Sequence, residues 1–508
     1  SYAEFSVADE PDVDRVLVIR AEITDATEAE SLANVTDALP PLSFSGEPHM
    51  YGAAGVAQLY LAAVVLIFTY VAIVTEVMHH TLIACSSAFV ALLLLAAFGK
   101  APSLERVMEF LDVGTLALLF GMMVIVGGLS ETGVFEYAAV RAFEASGGNV
   151  RKLAVILCVL CAVLSAFLDN VTTVLLLAPV TIRMSQLLDM NPIPFLIGEL
   201  FMSKIGGIAT LIGDPPNILI ASALSDYIDF VTFVANMAPA AILIGGPSML
   251  HLLYYYRADV AGSRLLDASD LRREYTIHDP VLFKKTAVIG TLVLLAFFLQ
   301  PLHGIEPAWA ALAGAVAILV ATSSHDVSHA LEKYVEWDSL IFFAGLFVMV
   351  EALAELGLIR FIGNLFIDLV LSVEPSARYP FALVLLLWMS AFLSAFIDNI
   401  PYAATMIPVI VQMSESPELQ LPIKPLAWCL ALGADIGGNG TLVASSGNLV
   451  VAGIAKQFGH PISFGSFFRV GMPNMIISTA VANVYVLIVY VWLEIGVGLS
   501  LYEHYQNE

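Results

Sequence analysis

The stretch LSAFLDNVTTVLLLAP at residues 164–179 is repeated as LSAFIDNIPYAATMIP at residues 393–408. Each copy places an Asp-Asn pair, at 169–170 or at 398–399, inside a long apolar segment. The apolar pieces on either side of the pair are short for a bilayer, which takes about 20 helical residues to cross. Each copy therefore predicts a re-entrant hairpin, in which two short helices meet at a polar tip. Irregular backbone at membrane depth is stable only inside protein or beside water, so we expect the tips to be shielded and to meet near the midplane.

Two further blocks recur in the same order. GMMVIVGGLSETG at residues 121–133 corresponds to GLFVMVEALAELG at 345–357, and IGGIATLIGDPPN at 205–217 corresponds to IGGNGTLVASSGN at 436–448. The offsets lie between 224 and 231 residues. If each copy crosses the membrane an odd number of times, the copies point in opposite directions. This is the inverted-repeat plan of secondary transporters.

The third block predicts a broken helix in each copy. Its glycines and the Pro-Pro pair at 215–216 are incompatible with a regular membrane-spanning helix. Unwound backbone frees carbonyls to coordinate a cation, and helix N-termini attract an anion. Such a site suits sodium, or a carboxylate beside it. The backbone ligands and neutral oxygens expected there are Gly206, Gly207, Thr210, Asn217, Gly437, Gly438, Thr441, Ser445, Ser446 and Asn448.

Ionisable residues inside apolar segments cost about 2.5–3.5 kcal/mol each on insertion scales. Asp169 and Asp398 recur at matching positions, which favours a functional role. Glu199 and Glu351 have no acidic counterpart in the other copy. For each such residue, a helix cap or a place in an aqueous vestibule is the alternative. The full set is Asp169, Glu199, Lys204, Asp214, Glu351, Asp398 and Asp435.

Lys204 and Asp435 occupy corresponding positions, one residue before the repeated IGG. A cation and an anion at such positions are expected to pair across the site, and pairing would keep the lysine charged. Lys204 would then act as a tethered cation in place of one sodium ion, or as a proton carrier. A purely structural ion pair is the alternative.

Composition defines the class of protein. Of 508 residues, 59% are hydrophobic and 13% are charged, and the formal net charge is −24. These values exclude a soluble globular enzyme, a disordered chain and a nucleic-acid-binding protein. The sequence predicts an all-α polytopic membrane protein and shows no enzyme motif, so no enzymatic activity and no cofactor are expected. The long charge-free runs are 51–75, 77–99, 230–256, 286–305, 307–325, 380–397, 436–455 and 470–493.

The chain divides into five parts. Residues 1–50 hold eleven acidic residues, one strand-like run and a glycosylation sequon at Asn34, which suggests a non-cytoplasmic segment with some β character. Residues 257–285 carry six basic residues and are expected to be a cytoplasmic linker by the positive-inside rule. Repeat 1 is placed at 51–256 and repeat 2 at 286–495, and the tail at 496–508 is expected to be non-cytoplasmic.

The blocks LSAFLDNVTTVLLLAPVTIR, IGDPPN, SAFIDNIPYAATMIPV and GGNGTLVASSGN resemble the P protein (pink-eyed dilution) family of the ion transporter superfamily. Its relatives include arsenite permeases, sodium–proton antiporters and the divalent anion–sodium symporters. The resemblance implies a homodimer in which each protomer has a scaffold domain and a transport domain. The transport domain, made of two hairpins and two broken helices, would slide as an elevator.

The resemblance also implies ligands for the transported ions. Sodium is expected at Asn170, Gly206, Asn399 and Gly437. The other binding residues that match the family motifs are Thr172, Gly207, Thr210, Thr405, Gly438, Asn439, Thr441 and Asn448. Thr173, next to Thr172, is also expected to contribute to the site.

Together these observations predict an ion-coupled secondary active transporter. It would carry a small anion or organic solute with sodium or protons and influence lumenal pH. A sodium–proton antiporter, a chloride channel and a non-transporting scaffold are the alternatives. The expected partners are a small ion or organic anion, the lipid bilayer and a second copy of the chain. The expected location is an acidic organelle of the melanosome or lysosome type, or the plasma membrane.

Overall fold

The computed structural model describes residues 53–75, 77–262, 275–322 and 327–495. The acidic segment 1–50 with Asn34, residues 263–274 of the basic linker and the tail 496–508 lie outside the described residues. The compact unit that carries the site begins at Ala57.

Repeat 1 folds into ten helices. They are α1 (Ala53–Val74), α2 (His80–Ala97), α3 (Leu104–Glu109), α4 (Val113–Ser130), α5 (Val134–Ser146), α6 (Val150–Ser165), α7 (Asn170–Leu187), α8 (Ile193–Gly207), α9 (Pro215–Ala223) and α10 (Phe230–Tyr255).

Repeat 2 follows the same order. Its helices are α11 (Pro280–Phe298), α12 (Pro307–Ala321), α13 (Val327–Tyr334), α14 (Trp337–Glu355), α15 (Leu358–Leu371), α16 (Pro375–Ser394), α17 (Asn399–Glu415), α18 (Ile423–Gly437), α19 (Ser446–Gln457) and α20 (Phe464–Val486). A short helical turn at Gln300–His303 follows α11, and a π-helical turn at Leu487–Trp492 extends α20. Each helix of repeat 1 thus has its counterpart ten helices later.

Within the described ranges, eight helices are long and apolar enough to cross a membrane: α1, α2, α4, α10, α11, α14, α16 and α20 with its extension. Helix α12 is apolar but shorter. Two of the eight, α4 and α14, hold most of the first repeated block and were not among the long charge-free runs. The runs at 307–325 and 436–455 are not among the eight. The polytopic all-helical prediction is therefore confirmed.

The charge-free run at 436–455 is not a single span, although its length would allow one. Helix α18 ends at Gly437, a 3-10 turn covers Leu442–Ala444, and α19 begins at Ser446. The matching break in repeat 1 separates α8 from α9. Glycine lowers helix stability at both places, and the polar residues between the helix ends find partners in the protein interior.

The packing follows the repeat. Helix α6 packs on α8 as α16 packs on α18, and these pairs join each hairpin to the broken helix of its own repeat. The hairpin helix α7 packs on α19 of the other repeat, just as α17 packs on α9. Outside this group, α2 packs on α14 and α4 packs on α12. The hairpins and broken helices of both repeats therefore interlock around a common centre.

Two glycines let each hairpin approach its broken helix closely. A Cβ atom on Gly206 would overlap the backbone carbonyl of Ala162, and one on Gly437 would lie 2.7 Å from the carbonyl oxygen of Ala391. The two pairs occupy equivalent positions in the repeats. Close approach through small residues is a common way to pack helices in membranes.

Two ion pairs brace the repeats against each other. Lys333 Nζ on α13 lies 2.8 Å from Glu131 Oε1 at the end of α4, and Arg106 Nη2 on α3 lies 3.3 Å from Glu355 Oε1 at the end of α14. Glu131 and Glu355 are equivalent residues of the first repeated block. Each bridge therefore ties one repeat to the other at an equivalent helix end.

We expect Gly206→Ala to lower the stability of the detergent-purified protein by about 1–3 kcal/mol, because α6 and α8 must separate to admit the methyl group. Gly453→Ala is the matched control: this glycine is exposed on α19, with nothing within 4 Å of an added Cβ. It should be neutral or gain up to ~1 kcal/mol. Thermal unfolding monitored by tryptophan fluorescence measures both, and equal effects would contradict the packing argument.

The Lys333–Glu131 bridge gives a pH prediction. The Lys333 ammonium and the Tyr334 hydroxyl hold the pKa of Glu131 below its ordinary value. A carboxyl whose pKa is depressed by folding stabilises the protein above its unfolded pKa, about 4.3, and loses that contribution as the pH falls further. Wild type should therefore be more stable than Glu131→Gln at neutral pH, by less than about 1 kcal/mol for this partly exposed pair. The difference should vanish on acidification below about pH 4, and a constant difference would refute the assignment.

Candidate ion-binding site

The two hairpin tips begin with capping aspartates. Asp169 Oδ1 accepts a hydrogen bond from the backbone N–H of Thr172 at 2.9 Å, and its Oδ2 accepts one from Thr172 Oγ1 at 2.5 Å. Asp398 Oδ1 accepts from the backbone N–H of Ile400 at 3.0 Å. Both aspartates thus cap the returning helices α7 and α17. They fix the turn that aims the next residue, an asparagine, toward the centre.

The asparagines of the two tips meet at one carboxylate oxygen. Asn399 Nδ2 donates to Asp214 Oδ2 at 3.3 Å, and Asn170 Nδ2 donates to the same oxygen. Ser165 Oγ orients the Asn170 amide by donating to its Oδ1 at 2.7 Å. All three central residues are buried, with 3% or less of their surface exposed. The tips of both repeats therefore meet in the interior at Asp214.

Lys204 completes the cluster, with a different partner from the one expected. Its Nζ lies 3.1 Å from Asp214 Oδ2, so the ion pair forms with Asp214 and not with Asp435. The break folds the start of α9 back beside the end of α8, which brings Asp214 next to Lys204 within the same repeat. Asp214 Oδ2 thereby receives three donors from the two tips and the broken helix.

Asp435 is held by the other repeat. Its Oδ2 accepts a hydrogen bond from Asn217 Nδ2 at 2.9 Å, and Asn217 Nδ2 also reaches the carbonyl oxygen of Gly207 at 3.1 Å. Asp435 is completely buried, and its Oδ1 has no hydrogen-bond partner. One carboxylate oxygen of the centre is therefore left available to a ligand.

The broken segments are braced by equivalent contacts. Asn448 Nδ2 donates to the carbonyl of Gly438 at 2.8 Å, as Asn217 does to that of Gly207. Thr441 Oγ1 donates to the carbonyl of Ala395 at 2.5 Å, and Thr210 makes the same contact with its hairpin at Ala166. These contacts occupy the amide nitrogens and leave amide oxygens free. The buried oxygens without a partner include Asn217 Oδ1, Asn439 Oδ1 and Asn448 Oδ1.

The charges of the centre do not balance. Lys204, Asp214 and Asp435 are each exposed by 3% or less, and together they carry one excess negative charge when all are ionised. An uncompensated charge in a buried site is strongly unfavourable. Free carbonyl and amide oxygens around an excess carboxylate are what a bound cation requires.

Three other predicted residues lie at or near the cluster. Ser445 precedes α19, and its carbonyl accepts from the backbone N–H of Asn448 at 3.1 Å. Thr173 is buried with an unpartnered hydroxyl. Thr405 Oγ1 donates to the carbonyl of Pro401 and lies 2.5 Å from the hydroxyl of Tyr70, beside an apolar groove of about 340 Å³. In these contacts Thr405 braces α17 against α1.

Several contributing residues were not singled out from the sequence. Ser165 orients Asn170, and its counterpart Ser394 donates to the carbonyl of Ala434 at 2.7 Å. Both serines stand in the repeated LSAF block, so their recurrence was the available signal. Tyr70 lies on α1, outside every repeated block, and no sequence signal marks it.

A vestibule leads to both tips. One cavity of about 490 Å³ is lined by His80, Asp338 and Asp398, among others. An adjoining cavity of about 370 Å³ is lined by Asp169 and Glu336, among others. The two share lining residues, which are Ser339, Phe343, Ile400 and Ser446.

The opposite end of α14 faces a separate, smaller cavity of about 140 Å³, which includes Asp112 and Glu351. There, Ser222 Oγ on α9 donates to Asp112 Oδ1 at the start of α4, at 2.9 Å. The site thus has a wide approach on one face and a narrow one on the other.

The wide approach opens on the face of the basic linker. His278 N–H, in the described end of the linker, donates to the carbonyl of Thr132 at 3.0 Å. Next to Thr132 is Glu131, the partner of Lys333, and Lys333 lines the vestibule. The linker and the mouth of the vestibule therefore lie at the same end of α4.

The chain is similar to known transporters. A sequence profile described as "Citrate transporter" matches residues 70–433. The P proteins of Sus scrofa and Homo sapiens are each 38% identical, covering 87% and 85% of this chain, and this chain spans about six-tenths of their length (61% and 60%). An uncharacterized transporter of Mycobacterium tuberculosis is 40% identical over 382 residues, which cover 75% of this chain and 87% of that protein.

Two solved structures share the fold. The YdaH transporter of Alcanivorax borkumensis aligns with a TM-score of 0.53 at 16% identity, covering 88% of this chain and 99% of that one. MtrF of Neisseria gonorrhoeae aligns with a TM-score of 0.53 at 12% identity, covering 87% and 95%. At this identity the likeness concerns the fold alone. The profile match spans well over half of the chain, so this multi-pass membrane protein belongs to the citrate transporter family.

Proposed function

We propose that this protein is an ion-coupled secondary transporter that moves a small anion together with sodium or protons by an elevator mechanism. The observation that carries the proposal is the convergence of Asn170, Asn399 and Lys204 on one carboxylate oxygen of Asp214. Both hairpins and a broken helix thus contact a single charged atom. An ion that binds beside this cluster interacts with both repeats at once, which is the physical basis for coupling.

The cavities favour a carrier over a channel. The vestibule and the smaller cavity at Asp112 lie toward opposite ends of α14, and α9, which begins beside Asp214, contributes residues to both. The buried hydrogen bonds of Asn170 and Asn399 to Asp214 block an open path through the protein between the two cavities. Alternating access would move this group of hairpins and broken helices as one body, because α7 packs on α19 and α17 on α9. By the positive-inside rule, the wide vestibule would face the cytoplasm in this conformation.

A small anion is the substrate that we favour. The N-terminus of α17 and the first residue of α19, Ser446, border the vestibule, and helix N-termini attract negative charge. The cavities of about 490 and 370 Å³ accommodate a small organic ion. The description of the matching profile, citrate transporter, points to the same chemical class.

Sodium–proton exchange is the second candidate. The vestibule lining includes four carboxylates, and its lysine, Lys333, is paired with Glu131. An acidic approach attracts cations and opposes anions. The four carboxylates are Asp169, Glu336, Asp338 and Asp398.

The setting of the transporter is a further part of the proposal. We expect a homodimer in the membrane of an acidic organelle or in the plasma membrane, with an effect on lumenal pH. The support is the similarity to P proteins over most of this chain.

Transport by purified protein in liposomes tests the function, with sodium and pH gradients imposed separately and with citrate and radioactive sodium as probes. Wild type should accumulate a probe against its gradient. Asp214→Asn should reduce the initial rate at least ~10-fold, because removing a charged hydrogen-bond partner costs about 1.5–3 kcal/mol. Lys456→Gln, on the exposed face of α19, is the matched control and should keep the wild-type rate. Dissipation of gradients without accumulation would instead indicate a channel.

The direction of access is tested by cysteine labelling in a Cys85→Ser background, which removes the exposed native thiol. In this conformation a membrane-impermeant thiol reagent should label Ser339→Cys in the vestibule. It should label Ser222→Cys much more slowly, because Ser222 is in contact with Asp112. Adding the coupling ion and substrate should change the two rates in opposite directions. Rates that always change together would refute alternating access.

A further inference from the structure

The two broken helices place opposite charges at equivalent positions. An offset of 231 residues relates Lys204 to Asp435 and Asp214 to Ser445. Repeat 1 therefore carries an ammonium and a carboxylate where repeat 2 carries a carboxylate and a hydroxyl. The backbone contacts around them are alike, since Asn217 and Asn448 brace Gly207 and Gly438 in the same way.

Repeat 1 is electrically complete. The Lys204 ammonium lies on Asp214 Oδ2 at 3.1 Å, and both side chains are almost entirely buried. The pair needs no external counter-ion. Its carboxylate oxygen is further saturated by the two tip amides, so it has little remaining capacity for a second cation.

Repeat 2 is electrically incomplete. Asp435 has one hydrogen bond, from Asn217, and an unpartnered Oδ1 in a fully buried position. The buried amide oxygens without partners include three at or beside the two breaks, those of Asn217, Asn439 and Asn448. Neutral amide oxygens coordinate a metal cation but do not take up a proton at neutral pH, so this set favours sodium.

The chain makes room for Lys204 to reach this region. A Cβ atom on Gly438 would lie 3.1 Å from Lys204 Cε and 3.3 Å from its Cδ. The lysine side chain therefore passes directly over the break of repeat 2 on its way to Asp214. Asp214 and Lys204 both act electrostatically on Asp435.

We propose that Lys204 is a built-in cation that fills one of two cation positions at the breaks, the one on Asp214, so that each protomer binds a single sodium ion, at Asp435. This inference rests on the proposed function and specifies its ion stoichiometry. Replacing the ammonium with a neutral side chain frees Asp214 and opens a second sodium position. Removing both charges of the pair closes that position again.

Equilibrium binding of radioactive sodium to the purified full chain at neutral pH tests the proposal without knowledge of the substrate. Wild type should bind one sodium ion per protomer and Lys204→Gln should bind two. The double variant Lys204→Gln/Asp214→Asn should return to one, and Asp435→Asn should bind none. Lys456→Gln should match wild type, because this lysine is exposed and remote from the breaks.

Equal sodium binding by wild type and Lys204→Gln would overturn the proposal, as would sodium binding that survives in Asp435→Asn. If Lys204→Gln does not fold, Asp435→Asn and the charge-neutral double variant decide the question. The liposome assay separates the two levels of inference. Proton-driven accumulation by a wild type that binds no sodium would overturn the role of Lys204 and leave the transporter intact, whereas the absence of all accumulation and conduction would remove the proposed function itself.

Discussion

A carboxylate buried in the protein interior is the constraint on which the rest of this molecule depends. Asp214 is 1% exposed, and an ionised group in such surroundings must be matched by charge and hydrogen bonds. The amides of both tips and the Lys204 ammonium supply that match. Three features of the fold position these donors. The capping aspartates orient the tip asparagines, and the break in repeat 1 brings Lys204 beside Asp214. The glycines allow each hairpin to pack closely on its broken helix.

The two repeats share the same side-chain hydrogen bonds to the backbone around their helix breaks, but they differ in the charged residues at those breaks. Threonines and asparagines at equivalent positions bind the unwound backbone in the same way in both copies. The ionisable groups beside the helix breaks differ between the two repeats. A duplicated scaffold thus supplies the geometry, while a few unmatched side chains make the two breaks differ in charge.

Sequence reasoning predicted the architecture well because the repeated blocks mark structural breaks directly. The repeated Asp-Asn pair and the Gly-Gly pair of the repeated IGG block have few physical explanations in apolar sequence, and the structure has a hairpin tip or a helix break at each of them. The ion-pair partner of Lys204 could not be predicted from the repeat. Equivalence between repeats relates positions, whereas pairing depends on which carboxylate the break folds closest, and that is Asp214. Similarly, Thr405 belongs to a repeated block, but its hydroxyl contacts Tyr70 on a helix that no motif marks.

The crossed packing of each hairpin on the broken helix of the other repeat has a consequence for how such a chain can change over time. Because α7 packs on α19 and α17 packs on α9, the contacts of each hairpin tip are completed only by the other repeat. A substitution at these surfaces in one repeat changes the packing of the other repeat, so the sequences of the two repeats are expected to change together. A single half expressed alone would lack the surfaces that shield its own polar tip, and the ancestral unit of this fold is accordingly expected to have worked as a pair of identical chains in opposite orientations.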